Sequence, residues 1–522
     1  MNSNYKKFLK INKKLIKYYP NNGSVIVIDR GGSIYTSIHT SLLACALNKV
    51  FKVNPVTLSD FIKPEVIEIF KSFGINKFKR IFNYMMVVKE PLIATRSAIE
   101  TINTIYKIKK NGFQWFIDDY KFANINLGDL VYDTHIRHNN NFIKQKIDTR
   151  FVNLLFKTIF RTIKIEKSVD KNKAKFVIVG THGYCYNDAI ALRVGLKKNL
   201  KVFEPQPHQI IQFSKSHIKH GVDSLFINRK ILQKKISSTV IENYKKNFYK
   251  ANNVSYFTGS QILFRANKFK KKINKIELLN QLNVRKKYSK IILIAPHIFS
   301  DAVHASGTLI FKDYYSQLYE TLEYIKNKKI KDCLWIIKIH PWSIFYNENN
   351  IIEPLIEQFN YEDFYLCPKN INTKDLINIC DTVITGRGTA GIEFACNGKL
   401  PILAGPAAYS NLGFTFDPKN KKEYFNKIKN ISKILPLKKN QITLANKVMY
   451  ILQNNLNQTS IIRSKIIPHD KFSQSIKLTN SSQTNSDPEK NLFSDEFILN
   501  VKKNRFENDT YYKDLIKKLR LL

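Results

Sequence analysis

A chain of 522 residues is longer than one hydrophobic core ordinarily serves, so two domains of a few hundred residues plus an appendage are expected. Its 43% hydrophobic and 24% charged residues are a globular balance without an apolar run of bilayer-spanning length, and lysines interrupt the basic N-terminus where a signal peptide needs its apolar segment. Lys and Arg total 85 against 41 acids, a net charge of +44, but no zinc-finger spacing, RNP-like aromatic motif or compact arginine-rich arm accompanies it, so nucleic acid is not an expected partner.

In chain order, Tyr5, Phe8, Ile11, Leu15 and Tyr18 recur at helical spacing among lysines, which predicts a basic amphipathic helix over residues 5–19. Such a helix either packs on its own domain or rests peripherally on an anionic membrane. Residues 24–29 are an apolar run ending in Arg30-Gly31-Gly32-Ser33, with helical character over 38–47: strand, glycine turn, helix. A second such unit runs from the strand 175–180 through Thr181-His182-Gly183 to a helix over 189–196 and a short strand at Val202-Phe203. The stretch from Glu204 to His208 departs from simple helix or strand and reads as a loop.

The second half alternates more clearly, with strands predicted at 291–295, 334–339, 382–385 and 401–404 and helices between them. The fold class is α/β: two Rossmann-like domains, in which ligands sit at the carboxyl ends of parallel strands. The expected division is 1–285, 286–455, and a tail at 456–522 whose Ser- and Asn-rich stretch 473–491 reads as a linker before a terminal helix. The six cysteines (Cys45, Cys185, Cys333, Cys367, Cys380, Cys396) form no CxxC pair and no metal-ligand spacing, so reduced thiols in a cytoplasmic protein are expected, with no metal site and no cofactor.

The candidate chemistry falls at predicted strand ends. After strand 382–385 come Gly386-Arg387-Gly388-Thr389-Ala390-Gly391 and Glu393. Gly386, Gly388 and Gly391 allow a tight turn and close approach to a ligand, Thr389 offers a hydroxyl near the first helical amides, and an anion is favoured there. A nucleotide-sugar phosphate is the expected guest, with Glu393 facing a ribose or sugar hydroxyl. Lys338 and His340, two residues apart at the end of strand 334–339 and followed by Pro341, share one side of the strand and can complement a phosphate leaving group. The loop after strand 291–295 carries His297, Asp301 and His304, with Asp301 the carboxylate suited to deprotonate an acceptor hydroxyl and the histidines suited to the donor.

These motifs, His297-Ile298-Phe299-Ser300-Asp301, Phe311-Lys312-Asp313-Tyr314-Tyr315, Lys338-Ile339-His340-Pro341 and Gly386 to Glu393 through Gly405 and Tyr409, resemble the bacterial capsule polysaccharide synthesis family, which includes transferases of Kdo. The resemblance covers roughly a quarter of the chain and implies the two-domain GT-B architecture with a central cleft. The Lys-x-His-Pro element is similar to that of CMP-sugar and CDP-polyol transferases, which implies that His340 approaches a donor phosphate. In the first half, the segment Gly128 to Arg137 resembles an acceptor-side segment of such proteins, which makes Asp133 and Arg137 candidate acceptor-binding residues, Arg137 for a sugar carboxylate. The loop bearing His182 resembles their strand-end loop, and His182 is the second candidate base.

The function implied is a metal-independent cytoplasmic glycosyltransferase, peripheral at the inner face of the membrane. It moves a sugar from a nucleotide-activated donor, CMP-linked by the likeness of the Lys-x-His-Pro element, to a glycan or lipid-linked oligosaccharide. A nucleotide-sugar epimerase or polyol-phosphate transferase of the same fold, and a non-catalytic basic scaffold for glycan or membrane, are the alternatives.

Overall fold

The structure, a computed structural model, describes residues 3–12, 15–20, 22–28, 34–59, 63–139, 146–180, 187–206, 209–213, 229–233, 235–250, 273–304, 307, 309–340, 343–346, 348, 350–371, 373–453 and 510–521. Its contacts divide the chain into two units, one of residues 1–135, 146–224 and 459–522, the other of 136–145 and 225–458. His182 and the linker 473–491 lie outside the described residues.

In the first unit, β1 (Ser24–Ile28), β2 (Asn54–Ser59), β3 (Phe78–Arg80), β6 (Ala174–Val179), β7 (Lys201–Gln206) and β8 (Gln209–Phe213) form a sheet of order β3-β2-β1-β6-β7-β8. Two short strands, β4 (Lys121–Phe122) and β5 (Ile125–Asn126), pair as a separate hairpin. The sheet is parallel up to β7, and β8 returns antiparallel. All five residues of β1 are buried, the pattern of a strand covered on both faces, and its β-branched run Val25-Ile26-Val27-Ile28 suits that place.

The helix Ile34–Phe51 covers one face with Leu42 through Leu47 fully buried. Against the same core pack Tyr5 and Phe8 of helix Ser3–Ile11, and Tyr512, Leu515, Ile516 and Leu519 of helix Thr510–Leu519. The predicted N-terminal helix therefore ends at Ile11, and its apolar face is spent on the core rather than on lipid. Tyr5 is further fixed by donating its hydroxyl to the Glu65 carbonyl and to Glu68 Oε2, at 2.9 and 2.8 Å. The terminal helix is likewise part of this unit's core.

Beyond β3 the chain is mostly helical: Tyr84–Lys89, Pro91–Asp119, Gly128–Asn139, Thr149–Lys171 and Asn187–Lys197. Asp148 caps the fourth of these, accepting from the Phe151 amide at 2.7 Å. Arg193 binds Asp129 bidentately at 2.7 and 2.6 Å and the Asn126 carbonyl at 2.6 Å, with both charged side chains 3% exposed. A buried pair so fully satisfied ties helix Asn187–Lys197 to helix Gly128–Asn139 in one register. Of the stretch read as a loop, Glu204 to Gln206 are instead the end of β7, paired with β8 through Glu204↔Ile211 and Pro205↔Ile210, and residues 207–208 lie outside the described residues. Beyond Phe203 no β6 pairing continues, so the missing amide of Pro205 leaves no parallel ladder bond unmade.

The second unit holds β9 (Lys290–Ala295), β10 (Cys333–Ile337), β11 (Phe364–Leu366), β12 (Thr382–Thr385) and β13 (Ile402–Leu403) in the order β11-β10-β9-β12-β13, all parallel. Ile291, Leu293, Leu334, Ile336 and Val383 meet Leu278, Leu376 and Phe394 in one core cluster. Leu278 lies on helix Lys275–Gln281, which the sequence assigned to the first domain; its packing places it here. Strand order reverses between β9 and β12, whose ends align as Ala295↔Thr385. Both halves are thus doubly wound α/β units, and the loops after β9 and β12 flank the switch point of the second.

Candidate functional site

The loop that leaves β9 carries His297 and Asp301, and its shape is set from below. Glu348, 1% exposed, accepts from the amides of Phe299 and Ser300 at 2.7 and 2.9 Å and from the Ser300 hydroxyl at 2.5 Å. Burial raises the Glu348 pKa, and the bonds from Ser300 and Phe299 work against that shift. Ala302 adopts a left-handed φ of 39°, an uncommon conformation for a residue with a Cβ. Asp301 projects from this braced turn and meets Arg137 Nη1 at 3.5 Å, each side chain about a third exposed. Arg137 also lies over the ring of Tyr346 at 5.3 Å.

His297 stacks on Tyr314, ring centroids 4.4 Å apart at 16°, and on His340 at 6.1 Å and 18°. Tyr314, 1% exposed, opens the helix Tyr314–Lys328, whose cap Asp313 accepts from the Ser316 amide at 2.6 Å. Burial lowers the His297 pKa to about 4, with the charge of Arg387 adding to the effect; burial and then His297 lower that of His340 to about 3. Both rings are therefore neutral at pH 7, and Nδ1 of His297 is a buried atom without a hydrogen-bond partner.

From the turn after β12, Arg387 Nη2 donates to the carbonyls of Val303 and Gly307 at 2.9 and 3.1 Å, and its guanidinium lies 5.8 Å from the Tyr314 ring. Nε and Nη1 are buried and have no partner. A guanidinium held through Nη2, with donors on Nε and Nη1 still unmade, can receive anion oxygens singly on either flank of that nitrogen. In the sequence Arg387 is legible only as the residue between Gly386 and Gly388.

The glycines themselves read differently in the structure. None of Gly386, Gly388 and Gly391 has a positive φ. A Cβ on Gly386 would meet Tyr314 ring carbons at 2.8 and 2.9 Å, and one on Gly391 would meet the Tyr409 hydroxyl at 2.3 Å. The close approach that excludes side chains is made by two tyrosines of the protein. Tyr409 in turn donates its hydroxyl to the Gly388 carbonyl.

Thr389 precedes the short helix Ala390–Cys396 but its side chain does not cap it. Its hydroxyl bonds Glu393, whose carboxyl is 8% exposed and raised by burial to about 7, the Thr389 bond working against that shift. Lys338 is 9% exposed, and its ammonium, expected at a donor phosphate, instead donates to the Ile371 carbonyl at 2.9 Å. His304, 2% exposed, sits between Val303 and Gly307, the two residues whose carbonyls hold Arg387. Asp133 is 3% exposed within helix Gly128–Asn139 of the first unit, whereas Arg137, on that helix's last turn, belongs to the second unit. Among the described residues no cluster of His, Cys, Asp or Glu is placed to hold a metal ion.

Comparison with known proteins bears on the unit that carries this site. No curated protein matches the sequence. Among solved structures, the β-Kdo 2,7 transferase of Thermosulfurimonas dismutans KpsC is similar at 14% identity, over 59% of this chain and 97% of that one, with a TM-score of 0.29. The UDP-GlcNAc 2-epimerase of Neisseria meningitidis is 10% identical over 83% and 99% of the two chains, TM-score 0.25, and a glycosyltransferase of Rickettsia africae is 13% identical over 84% and 93%, TM-score 0.25. The model of the capsule polysaccharide biosynthesis protein family matches residues 215–451, nearly the whole second unit.

Proposed function

We propose that this protein is a glycosyltransferase of surface polysaccharide synthesis that takes its sugar from a nucleotide-activated donor. The observation that carries the reading is the pair of buried, unpartnered donors on Arg387, Nε and Nη1, beside the unpartnered Nδ1 of His297 at the switch point of a doubly wound sheet. Leaving such buried donors unmade costs about 1–3 kcal/mol, and an arriving phosphate removes that cost. In this scheme Arg387 holds the phosphate that joins nucleotide and sugar, with the His297 and His340 imidazoles packed against it.

The acceptor hydroxyl attacks the anomeric carbon, the bond from that carbon to the phosphate oxygen breaks, and the nucleotide leaves with the bonding electrons. Arg387 stabilises the charge that gathers on the departing phosphate. Asp301, aligned by Arg137, takes the hydroxyl proton. The donor is CMP-linked, the acceptor a glycan or lipid-linked oligosaccharide, and the reaction proceeds on the cytoplasmic side.

Thermal stabilisation of the purified chain by CMP, CDP, UDP, UMP and GDP tests the reading, since a ligand that binds only the native state raises the melting temperature. One nucleotide should stabilise wild type, and Arg387→Ala should abolish the shift. No shift with any nucleotide would sink the proposal. With the donor named, Asp301→Asn should lower kcat at nearly unchanged nucleotide affinity, and product analysis separates transfer from epimerisation.

A further inference from the structure

Part of the first unit's surface has its polarity inverted. The helix that begins at Pro91 turns Ile93, Ser97, Thr101, Thr104 and Ile108 inward. Three of these carry hydroxyls, and Ser97 and Thr101 satisfy theirs on the Ile93 and Ser97 carbonyls at 2.7 Å. Outward stand Leu92, Ile99, Ile102 and Tyr106, with exposures of 85, 55, 67 and 69%. At roughly 100° per residue these four lie within about 80° of arc, opposite the inward set. The preceding helix Tyr84–Lys89 adds Met85 and Val88, 63 and 76% exposed. Scattered exposed apolar residues are ordinary, whereas a stripe of them marks a surface that something covers.

The charge around the stripe identifies the cover. From Tyr84 to Asn111 the sequence has five cations, Lys89, Arg96, Lys107, Lys109 and Lys110, and two acids. Both acids are engaged: Glu90 by Lys164 at 2.5 Å, Glu100 by Thr104 and Tyr120 at 3.4 and 3.3 Å. A symmetric contact with a second copy would set the cations against themselves. An anionic bilayer offers acyl chains to the stripe and phosphates to its flanks.

We propose that the outward face of Tyr84–Lys89 and the first part of Pro91–Asp119 docks on an anionic lipid surface, seating Leu92, Ile99, Ile102 and Tyr106 at the acyl boundary and Arg96, Lys107, Lys109 and Lys110 on headgroup phosphates. This surface replaces the N-terminal helix as the membrane contact and is independent of the transferase chemistry.

The test is co-sedimentation of the full chain with phosphatidylcholine vesicles and with vesicles in which roughly a third of the lipid is phosphatidylglycerol. Wild type should bind the anionic vesicles at least about tenfold more tightly, and the preference should weaken with salt. Ile99→Ser with Ile102→Ser and Tyr106→Ser should cut that binding at least about tenfold at an unchanged Tm, because these side chains are exposed. If that triple variant does not fold, Leu92→Trp reads the same contact: its emission should be quenched by brominated acyl chains in anionic vesicles. Wild type that stays in the supernatant, a folded serine variant that binds as well as wild type, or a Leu92→Trp emission that brominated chains leave unchanged overturns the proposal. So does a wild-type dimer that the serine substitutions convert to monomer, which would make the stripe an interface between copies.

Discussion

The carboxylate of Glu348 takes two hydrogen bonds from Ser300, from its amide at 2.9 Å and from its hydroxyl at 2.5 Å, and a third from the neighbouring Phe299 amide at 2.7 Å. It thus does for the loop after β9 what a helix cap does for a helix: it gathers amides that would otherwise be buried unpaired. Glu348→Ala should cost about 3 kcal/mol, since it strands several buried donors, and Glu348→Gln less, since one acceptor oxygen remains. If the loop serves Asp301, kcat should fall further in both variants than nucleotide affinity does. Urea titration and steady-state kinetics read the two effects, and an unchanged kcat in a folded Glu348→Ala chain would separate Glu348 from the site.

The glycine motif makes a prediction that a ligand cradle would not. Because a Cβ at position 391 meets the Tyr409 hydroxyl at 2.3 Å, Gly391→Ala should destabilise the protein by roughly 1–3 kcal/mol. Tyr409→Phe removes that oxygen along with its bond to Gly388, at a cost of about 1 kcal/mol by itself. The double variant should then be less destabilised than the sum of the two, a coupling that denaturant midpoints detect. Strict additivity would place the strain elsewhere.

What the sequence made legible follows from which physics is local. The strands of the second unit were readable because apolar runs such as Lys290–Ala295 are buried on both faces and are bounded by turn residues. So was the position of the loops after β9 and β12, since parallel strands put their chemistry at their carboxyl ends. Partnership was not readable. Lys338 looked free to meet a phosphate until folding brought the Ile371 carbonyl to it, and Arg387 looked incidental until two carbonyls fixed its Nη2 and left Nε and Nη1 without partners. The helices between β3 and β6 were missed for a related reason. The first part of Pro91–Asp119 buries Ser97, Thr101 and Thr104 between Ile93 and Ile108 while Leu92, Ile99 and Ile102 stand outward, so a reading that sends apolar residues to the core misplaces its faces.

The charge on the departing phosphate is met in our scheme by a fixed guanidinium, which predicts the response to metal removal. Turnover should be unchanged in excess EDTA, while Arg387→Lys, which keeps the charge but loses the planar fork, should lower kcat by about 10-fold or more. Loss of activity in EDTA that magnesium restores would show that a divalent ion shares the work.

Glu393 gives the site a pH signature. Its carboxyl titrates near 4.5 when unfolded and, through burial, near 7 when folded, so the folded chain holds that proton more tightly. The contribution to stability is fully present below pH 4.5 and is lost as pH rises through 7, at about 1.4 kcal/mol per pH unit and up to roughly 3 kcal/mol in all. His297 and His340 slope the other way: ordinary near 6.5 when unfolded and about 4 and 3 when folded, they cost nothing above pH 6.5 and progressively more below it. Comparing wild type with Glu393→Gln cancels the histidines and isolates the carboxyl. Relative to wild type, the glutamine variant should gain stability between pH 5 and pH 8 by an amount approaching that roughly 3 kcal/mol, measured from urea midpoints at the two pH values. A gap of the same size at both would mean that the Glu393 carboxylate is solvated well enough to ionise freely, and that it is no part of a buried site.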